Sequence, residues 1–134
     1  MSTHEERVTA VLLVAHGSRR AEANHDLRLL AGMVAKAGGY KIVEVGYLEL
    51  AEPSIPAGGR TCVQRGAQRV LIMPFFLSPG RHVTSDLADF QQQLATEFPG
   101  VEFLLCGHLG LHPLMVEIVL DRLRGTEGLV PRQS

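Results

Sequence analysis

Four apolar runs, separated by stretches of helical periodicity, constrain this chain more than any other feature. They span Val8–Ala15, Lys41–Leu50, Arg69–Leu77 and Val101–Gly107. Three are apolar almost without interruption, the pattern of parallel strands covered on both faces. The second, KIVEVGYLEL, alternates more. Alternation of that kind belongs to a strand at a sheet edge or to one that carries a functional side chain.

The segments between the runs read as helices. Glu22–Ala37 places Leu27, Leu30, Val34 and Ala37 at spacings of three and four, then stops at Gly38-Gly39. Ser54 is an N-cap with Pro56 close behind it, opening a weaker helix through Cys62, Val63 and Gly66. Asp86–Phe98 carries Leu87, Phe90 and Leu94 and ends before Pro99-Gly100. Pro113–Leu123 supplies Leu114, Val116, Val119, Leu120 and Leu123. The order is βαβαβαβα. It predicts an α/β fold of three layers: a four-stranded, mostly parallel sheet with flanking helices and right-handed crossovers, flavodoxin-like in kind.

A chain of 134 residues holds one such domain. Residues 1–124 are expected to form it, and residues 125–134 to form a flexible tail. Leu129-Val130-Pro131-Arg132 in that tail resembles a protease-cleavage linker. Hydrophobic residues reach 46%, enough for a core without staples. The balance of 13 Lys+Arg against 14 Asp+Glu argues against a partner held by bulk positive charge, so neither nucleic acid nor an anionic membrane is expected. Aromatics at 5% with no Trp leave no stacking platform for single strands. Cys62 and Cys106 form no CxxC pair, which predicts reduced thiols in an intracellular setting. The Val8–Ala15 run is too short for a signal or membrane helix, so a cytoplasmic location is expected.

Ligands of open α/β sheets sit beyond the carboxyl ends of the strands. There the chain places His16-Gly17-Ser18-Arg19-Arg20, Leu48-Glu49-Leu50-Ala51-Glu52-Pro53, Ser78-Pro79-Gly80-Arg81-His82 and Gly107-His108. His16 is placed either for ligand contact or to cap the next helix. His82, alone, reads as a solvated loop histidine. Two histidines on neighbouring strand ends are another matter, because imidazole is the usual ligand of divalent transition metals and two ligands leave positions open. Glu49 is either an exposed edge residue or a carboxylate able to take a proton or assist a metal, sharing a face with Tyr47 and Ala51 in a period-two reading. Glu52 either contacts substrate or merely precedes the helix cap. His108 is a third rim histidine, His112 a helix N-terminal residue, and His4 and His25 surface residues. Arg19, Arg20 and Arg81 are solvated loop arginines one by one; gathered at a rim they suit an anion with several carboxylates. No GxGxxG, GxxxxGK[ST] or GxSxG motif occurs, which argues against a nucleotide or a serine nucleophile.

The sequence resembles the small sirohydrochlorin chelatases, the CbiX and SirB type of class II chelatase. The likeness rests on VAHGSR (Val14 to Arg19), YLELAEPSI (Tyr47 to Ile55), CVQRGAQRVLIMPFFLSPGRHVTSDL (Cys62 to Leu87) and GHLGLHP (Gly107 to Pro113), which together span nearly the whole chain. HGS alone is a weak motif; its combination with LELAEP and a late Pro-rich loop ending in His, in that order, is strong. The resemblance implies insertion of a divalent metal, Co²⁺ first and Fe²⁺ as the alternative, into a carboxylate-rich tetrapyrrole with release of two protons. It implies no cofactor beyond that metal substrate, with Ni²⁺ a further candidate ion. A carrier of metal or tetrapyrrole that performs no reaction is the rival reading.

By the same resemblance His16 and His82 match the family's metal-binding histidines, with His16 also the proton acceptor, and Glu49 matches the acidic residue of the site. Arg19, Glu52 and the segment Leu77, Ser78, Pro79, Gly80, Arg81 and His82 match substrate-contacting positions. The chain holds one copy of a unit that other members carry in tandem, so a homodimer is implied. It departs from the family pattern at Gly58-Gly59, which weakens the second helix, and in its tail.

Overall fold

The computed structural model describes residues 7–129; His4 and residues 130–134 of the expected tail lie outside them. The elements run β1 (Thr9–Ala15), α1 (Ala21–Gly38), β2 (Ile42–Tyr47), α2 (Ile55–Gln64), β3 (Arg69–Pro74), α3 (Arg81–Glu97), β4 (Glu102–Leu105) and α4 (Pro113–Glu127). The strands form one sheet in the order β2-β1-β3-β4, and each neighbouring pair is parallel. The α/β reading holds; the alternating second run is an edge strand, one of the two readings its pattern left open, and β4 is the other edge. All four strands are shorter than their apolar runs: β1 omits only Val8 at its start, whereas the last residues of the β2, β3 and β4 runs turn into the loops at the carboxyl end.

Burial bears out the reading of β1 and corrects that of β3 and β4. Those two were expected to be covered on both faces but alternate between buried and partly exposed, since among the described residues α1 packs on β1 and β2 and not on them. Ala10 to Val14 of β1 are all buried, since β1 lies between β2 and β3 with a layer on both faces. On one face Leu12, Val14, Ile55, Cys62, Val70, Ile72 and Leu94 pack beneath α2 and α3. On the other, Val11, Leu13, Val45 and Tyr47 pack against Leu27 and Ala31 of α1. A fully buried Leu or Ile of this kind contributes about 1.5–3 kcal/mol.

Ser54 caps α2 by accepting a hydrogen bond from the Ala57 N–H at 3.2 Å. The helix forms across Gly58 and Gly59, and the two glycines let it approach its neighbours. A Cβ at Gly58 would stand 2.5 Å from the Val45 carbonyl oxygen, and one at Gly59 would stand 2.6 Å from Leu94 Cδ1. Ion pairs tie together the opposite end of the sheet and the two helices α2 and α3. Glu102 accepts from both Arg69 and Arg7 at 2.8 Å, and Arg60 grips Glu97 through two nitrogens at 2.7 and 3.0 Å.

Two helices differ from expectation. α3 begins at Arg81, five residues before the expected Asp86, so Arg81 and His82 are helical rather than part of the loop. Gly80 is its N-cap and offers no side-chain cap, which removed the usual start signal. α4 runs on through Gly125 to Glu127, so the expected tail is helical at its beginning. The apolar residues of α4 were expected to pack on the sheet; none is buried, because α4 does not lie over its own sheet. No helix among the described residues is long and apolar enough to cross a membrane. Cys62, buried, and Cys106, half-buried, are both free thiols.

The strand order sets the position of the site. β1 feeds α1 on one face, whereas β3 feeds α3 on the other. The loops leaving these adjacent strands therefore diverge and open a crevice at their carboxyl ends.

Candidate functional site

The β1–β2 pairing continues beyond the end of the strands. The Leu48 and Glu49 N–H groups donate to the Ala15 and His16 carbonyls, both at 3.0 Å. This draws the loop after β2 against the loop after β1 and sets Glu49 beside His16. Gly17 makes the approach feasible: its φ is +98°, and a Cβ there would lie 1.8 Å from the Glu49 carbonyl oxygen. The side chains then meet, with His16 Nε2 2.8 Å from Glu49 Oε1. Both remain more than half exposed, at 56% and 59%. Leu50, next along, holds a left-handed φ of 64°, a strained position for a branched residue that turns the chain away after Glu49.

Strand β2 ends at Tyr47, so the expected strand periodicity does not carry Glu49. Tyr47 and Ala51 do share a side, both packing with the cluster beneath α1, while Leu48 joins the opposite cluster. Glu49 leaves both faces and points its carboxylate to the rim.

An ionised carboxylate only accepts hydrogen bonds. A neutral imidazole bonded to that carboxylate would carry its hydrogen on Nε2 and keep a lone pair on Nδ1. That combination supplies one nitrogen ligand, one carboxylate and a fixed tautomer at an open site.

The remainder of the His16 loop is held by Asn24. Its Oδ1 accepts from the Ser18 N–H at 3.0 Å, and its Nδ2 donates to the Ser18 carbonyl at 2.7 Å. The Ser18 hydroxyl in turn accepts from the Arg20 N–H at 3.0 Å. Tyr47 donates its hydroxyl to the Asn24 carbonyl at 2.7 Å, and burial raises its pKa although nearby Arg28 opposes this. Arg28 also donates to the Glu52 carbonyl at 2.8 Å, so Glu52 anchors this corner through its backbone and leaves its side chain exposed. None of Asn24, Arg28 and Tyr47 was singled out for the site from sequence. The signal for Asn24 was there: an amide side chain six residues after Ser18, within reach of a loop short of backbone partners.

On the far side of the crevice the Phe75 N–H donates to the Val14 carbonyl at 2.8 Å, and the Phe76 carbonyl accepts from Leu109 at 3.0 Å. Leu77, Ser78 and Gly80 are exposed and Pro79 half-buried in the loop between β3 and α3. Arg81 and His82 follow in the exposed first turn of α3. Arg19 and Arg20 stand exposed after β1, with Arg20 at the N-cap of α1. The arginines thus follow two adjacent strands, Arg19 and Arg20 in the loop after β1 and Arg81 in the first turn of α3. His108 is exposed in the loop after β4, and His112 caps α4 by accepting from the Leu114 N–H at 3.1 Å. His25 is on the surface.

His16 also ends a groove of about 630 Å³, lined in part by Ser18, Asn24, Asp26, Leu30 and Phe75. Among the described residues no three His, Cys, Asp or Glu side chains stand close enough to enclose a metal ion. The structure brings His16 and Glu49 together, and His82 lies apart from that pair, across the crevice on α3.

The family model described as CbiX matches residues 10–126. The chain belongs to the CbiX family. It is 44% identical over 114 residues to the sirohydrochlorin ferrochelatase, chloroplastic, of Arabidopsis thaliana, covering 85% of this chain and 51% of that one. It is 30% identical to the sirohydrochlorin cobaltochelatase of Methanococcus maripaludis, covering 87% of this chain and 98% of that one. Among solved structures, the sirohydrochlorin chelatase SirB from Bacillus subtilis subspecies spizizenii in complex with cobalt superposes with a TM-score of 0.81. That match has 26% identity and covers 87% of this chain and 50% of the other. The CbiX chain thus spans about half the length of the Arabidopsis relative and of SirB, and nearly the full length of the Methanococcus one.

Proposed function

We propose that this CbiX chain is a sirohydrochlorin chelatase that inserts Co²⁺ into the tetrapyrrole and releases two protons. The observation that carries this reading is the His16–Glu49 contact of 2.8 Å at an exposed rim. Insertion requires a ligand that both holds and gives up a divalent ion, next to a group that takes protons. In this reading His16 binds the metal through Nδ1 while Glu49 holds the hydrogen on Nε2. Once the metal passes to the macrocycle, the vacated lone pair accepts a pyrrole proton, and Glu49 stabilises the imidazolium. Water then removes that proton, and the second follows by the same route. The two roles of His16 are separated in time.

His82 supplies a second metal ligand from across the crevice. Arg19, Arg81 and the loop from Leu77 to Gly80 meet the carboxylates of the substrate, helped by the helix N-termini that open there. Glu52 contacts substrate through its exposed side chain. A homodimer is part of the proposal, since a single sheet presents half a cleft and a two-fold pair closes it. The two free thiols fit a reducing compartment, and the proposal places the chain in the cytoplasm.

Fe²⁺ is the second reading for the metal, supported by the relative named a ferrochelatase. The test is an insertion assay with sirohydrochlorin and Co²⁺, Fe²⁺ or Ni²⁺ in parallel, followed by the tetrapyrrole absorption. The expected result is a large acceleration over the metal-only control, greatest with Co²⁺. Binding without acceleration would identify a carrier instead.

A further inference from the structure

Leu50 combines two features that rarely occur together. Its backbone is left-handed, with φ at 64°, and no other residue except glycine takes a positive φ among the described residues. Its side chain is 52% exposed. An exposed leucine alone means little, because apolar atoms make up much of any protein surface. A left-handed turn alone is a position for glycine, which adopts that φ without a Cβ clash. At Leu50 the chain keeps a branched, exposed side chain in a conformation that glycine would relieve.

The surroundings hold this strain in place. The Tyr47 N–H donates to the Pro53 carbonyl at 2.9 Å and closes residues 47–53 into a loop with Leu50 at its middle. On one side of Leu50, the Leu48 and Glu49 N–H groups are bonded to carbonyls at the end of β1. On the other, Ala51 packs with the cluster beneath α1, and Arg28 donates to the Glu52 carbonyl. Neighbours fixed on both sides over-determine the turn. Strained residues persist under that condition, and they gather at functional sites. The residue before Leu50 is Glu49, whose carboxylate meets His16.

Charge decides which part of a substrate can rest on Leu50. Glu49, Leu50 and Glu52 line one open cleft of about 380 Å³, so the carboxylates of the substrate are repelled from it. Arg19, Arg20 and Arg81 offer those carboxylates better partners after β1 and at the start of α3. What remains for Leu50 is the uncharged part of the molecule. In a tetrapyrrole that part is the face of the ring, apolar and carrying the N–H groups at its centre. Leu77, 58% exposed, adds an apolar side chain after β3, and the strand order β2-β1-β3 sets these two loops on either side of the His16 loop. We propose that Leu50 is a substrate-contacting residue that seats the face of the ring beside the His16–Glu49 pair. The proposal rests on the chelatase reading above and names a residue that locates the ring.

The test compares Leu50→Gly, Leu50→Asn and Leu50→Met with wild type in the full chain. Three quantities are measured: the urea midpoint, sirohydrochlorin affinity without metal from its absorption change, and KM and kcat for Co²⁺ insertion. Glycine and asparagine both accept a left-handed φ, so the midpoint should hold or rise. Both delete the apolar contact, so sirohydrochlorin should bind roughly five- to tenfold more weakly, with KM raised by a similar factor and kcat less affected. Leu50→Met keeps an apolar side chain of similar volume and should stay within about twofold of wild type in affinity. Wild-type affinity and KM in both the glycine and asparagine variants would overturn the proposal and leave the chelatase reading standing. So would a lowered midpoint with unchanged affinity, the mark of a purely structural role. A wild-type chain that neither binds nor metallates sirohydrochlorin would overturn the chelatase reading itself, and this proposal with it.

Discussion

His16 and Glu49, 33 residues apart in sequence, meet side chain to side chain at 2.8 Å across the ends of β1 and β2. The contact joins a metal-binding type of side chain to a proton-accepting one. It also fixes which imidazole nitrogen is available.

Replacing Glu49 tests that arrangement. Glu49→Gln keeps the shape but loses the charge, so the tautomer is no longer selected and the imidazolium is no longer stabilised. Insertion is expected to slow by about 10- to 100-fold, with a displaced pH–rate profile, and His16→Ala is expected to abolish it nearly completely. Wild-type rates across the pH range would remove the substituted residue from the mechanism.

Gly17→Ala should be disproportionately harmful for a single methyl group. The new Cβ would stand 1.8 Å from the Glu49 carbonyl oxygen and at a φ of +98°. Strain of this sort costs about 1–3 kcal/mol, read as a lower urea midpoint, and parting the two loops should also lower insertion. A variant with unchanged midpoint and rate would show that the loops do not need this approach.

Gly59 and Leu94 should be energetically coupled. Leu94 is fully buried, and Leu94→Ala is expected to destabilise by about 2–5 kcal/mol. Gly59→Ala alone should also destabilise, since its Cβ would reach 2.6 Å from Leu94 Cδ1. Combined, the alanine at 59 partly fills the space left at 94, so the double variant should lose less than the two single losses together. Strict additivity in urea unfolding would refute the contact.

Acid should weaken the fold through two surface carboxylates. Hydrogen bonding from Arg69 holds the Glu102 pKa below its ordinary 4.5, and Arg60 does the same to Glu97. Groups lowered on folding stabilise fully above their unfolded pKa and lose that contribution as pH falls through the folded value. Urea midpoints should therefore fall as pH drops below about 4.5, and Glu97→Gln with Glu102→Gln should flatten the decline. An equally steep decline in the double variant would assign acid sensitivity to other groups.

Much of the fold was legible because its causes are local. Val8–Ala15 reads as an inner strand since both of its faces are buried, whereas the alternation of KIVEVGYLEL left an edge position and a functional side chain both open. Ser54 and Pro56 announced α2. Gly80 carried no comparable signal, so α3 started earlier than the sequence suggested and took His82 out of the loop. The apolar stripe of α4 was equally plain, but a stripe records that a face seeks cover and not what covers it. The identities and order of His16, Glu49 and His82 were visible in the sequence; their distances were not.

The sequence by itself determined the alternation of strands and helices and the gathering of histidines, carboxylates and arginines after the strands. Transfer of apolar side chains from water acts residue by residue and leaves a periodic trace along the chain. Only the tertiary structure decided that Glu49 meets His16, that Asn24 and Tyr47 hold the His16 loop, and that α4 stands off its own sheet. Those outcomes depend on strand register, on the space a glycine leaves open and on the path of a connecting loop, which are relations between distant residues that no local pattern encodes.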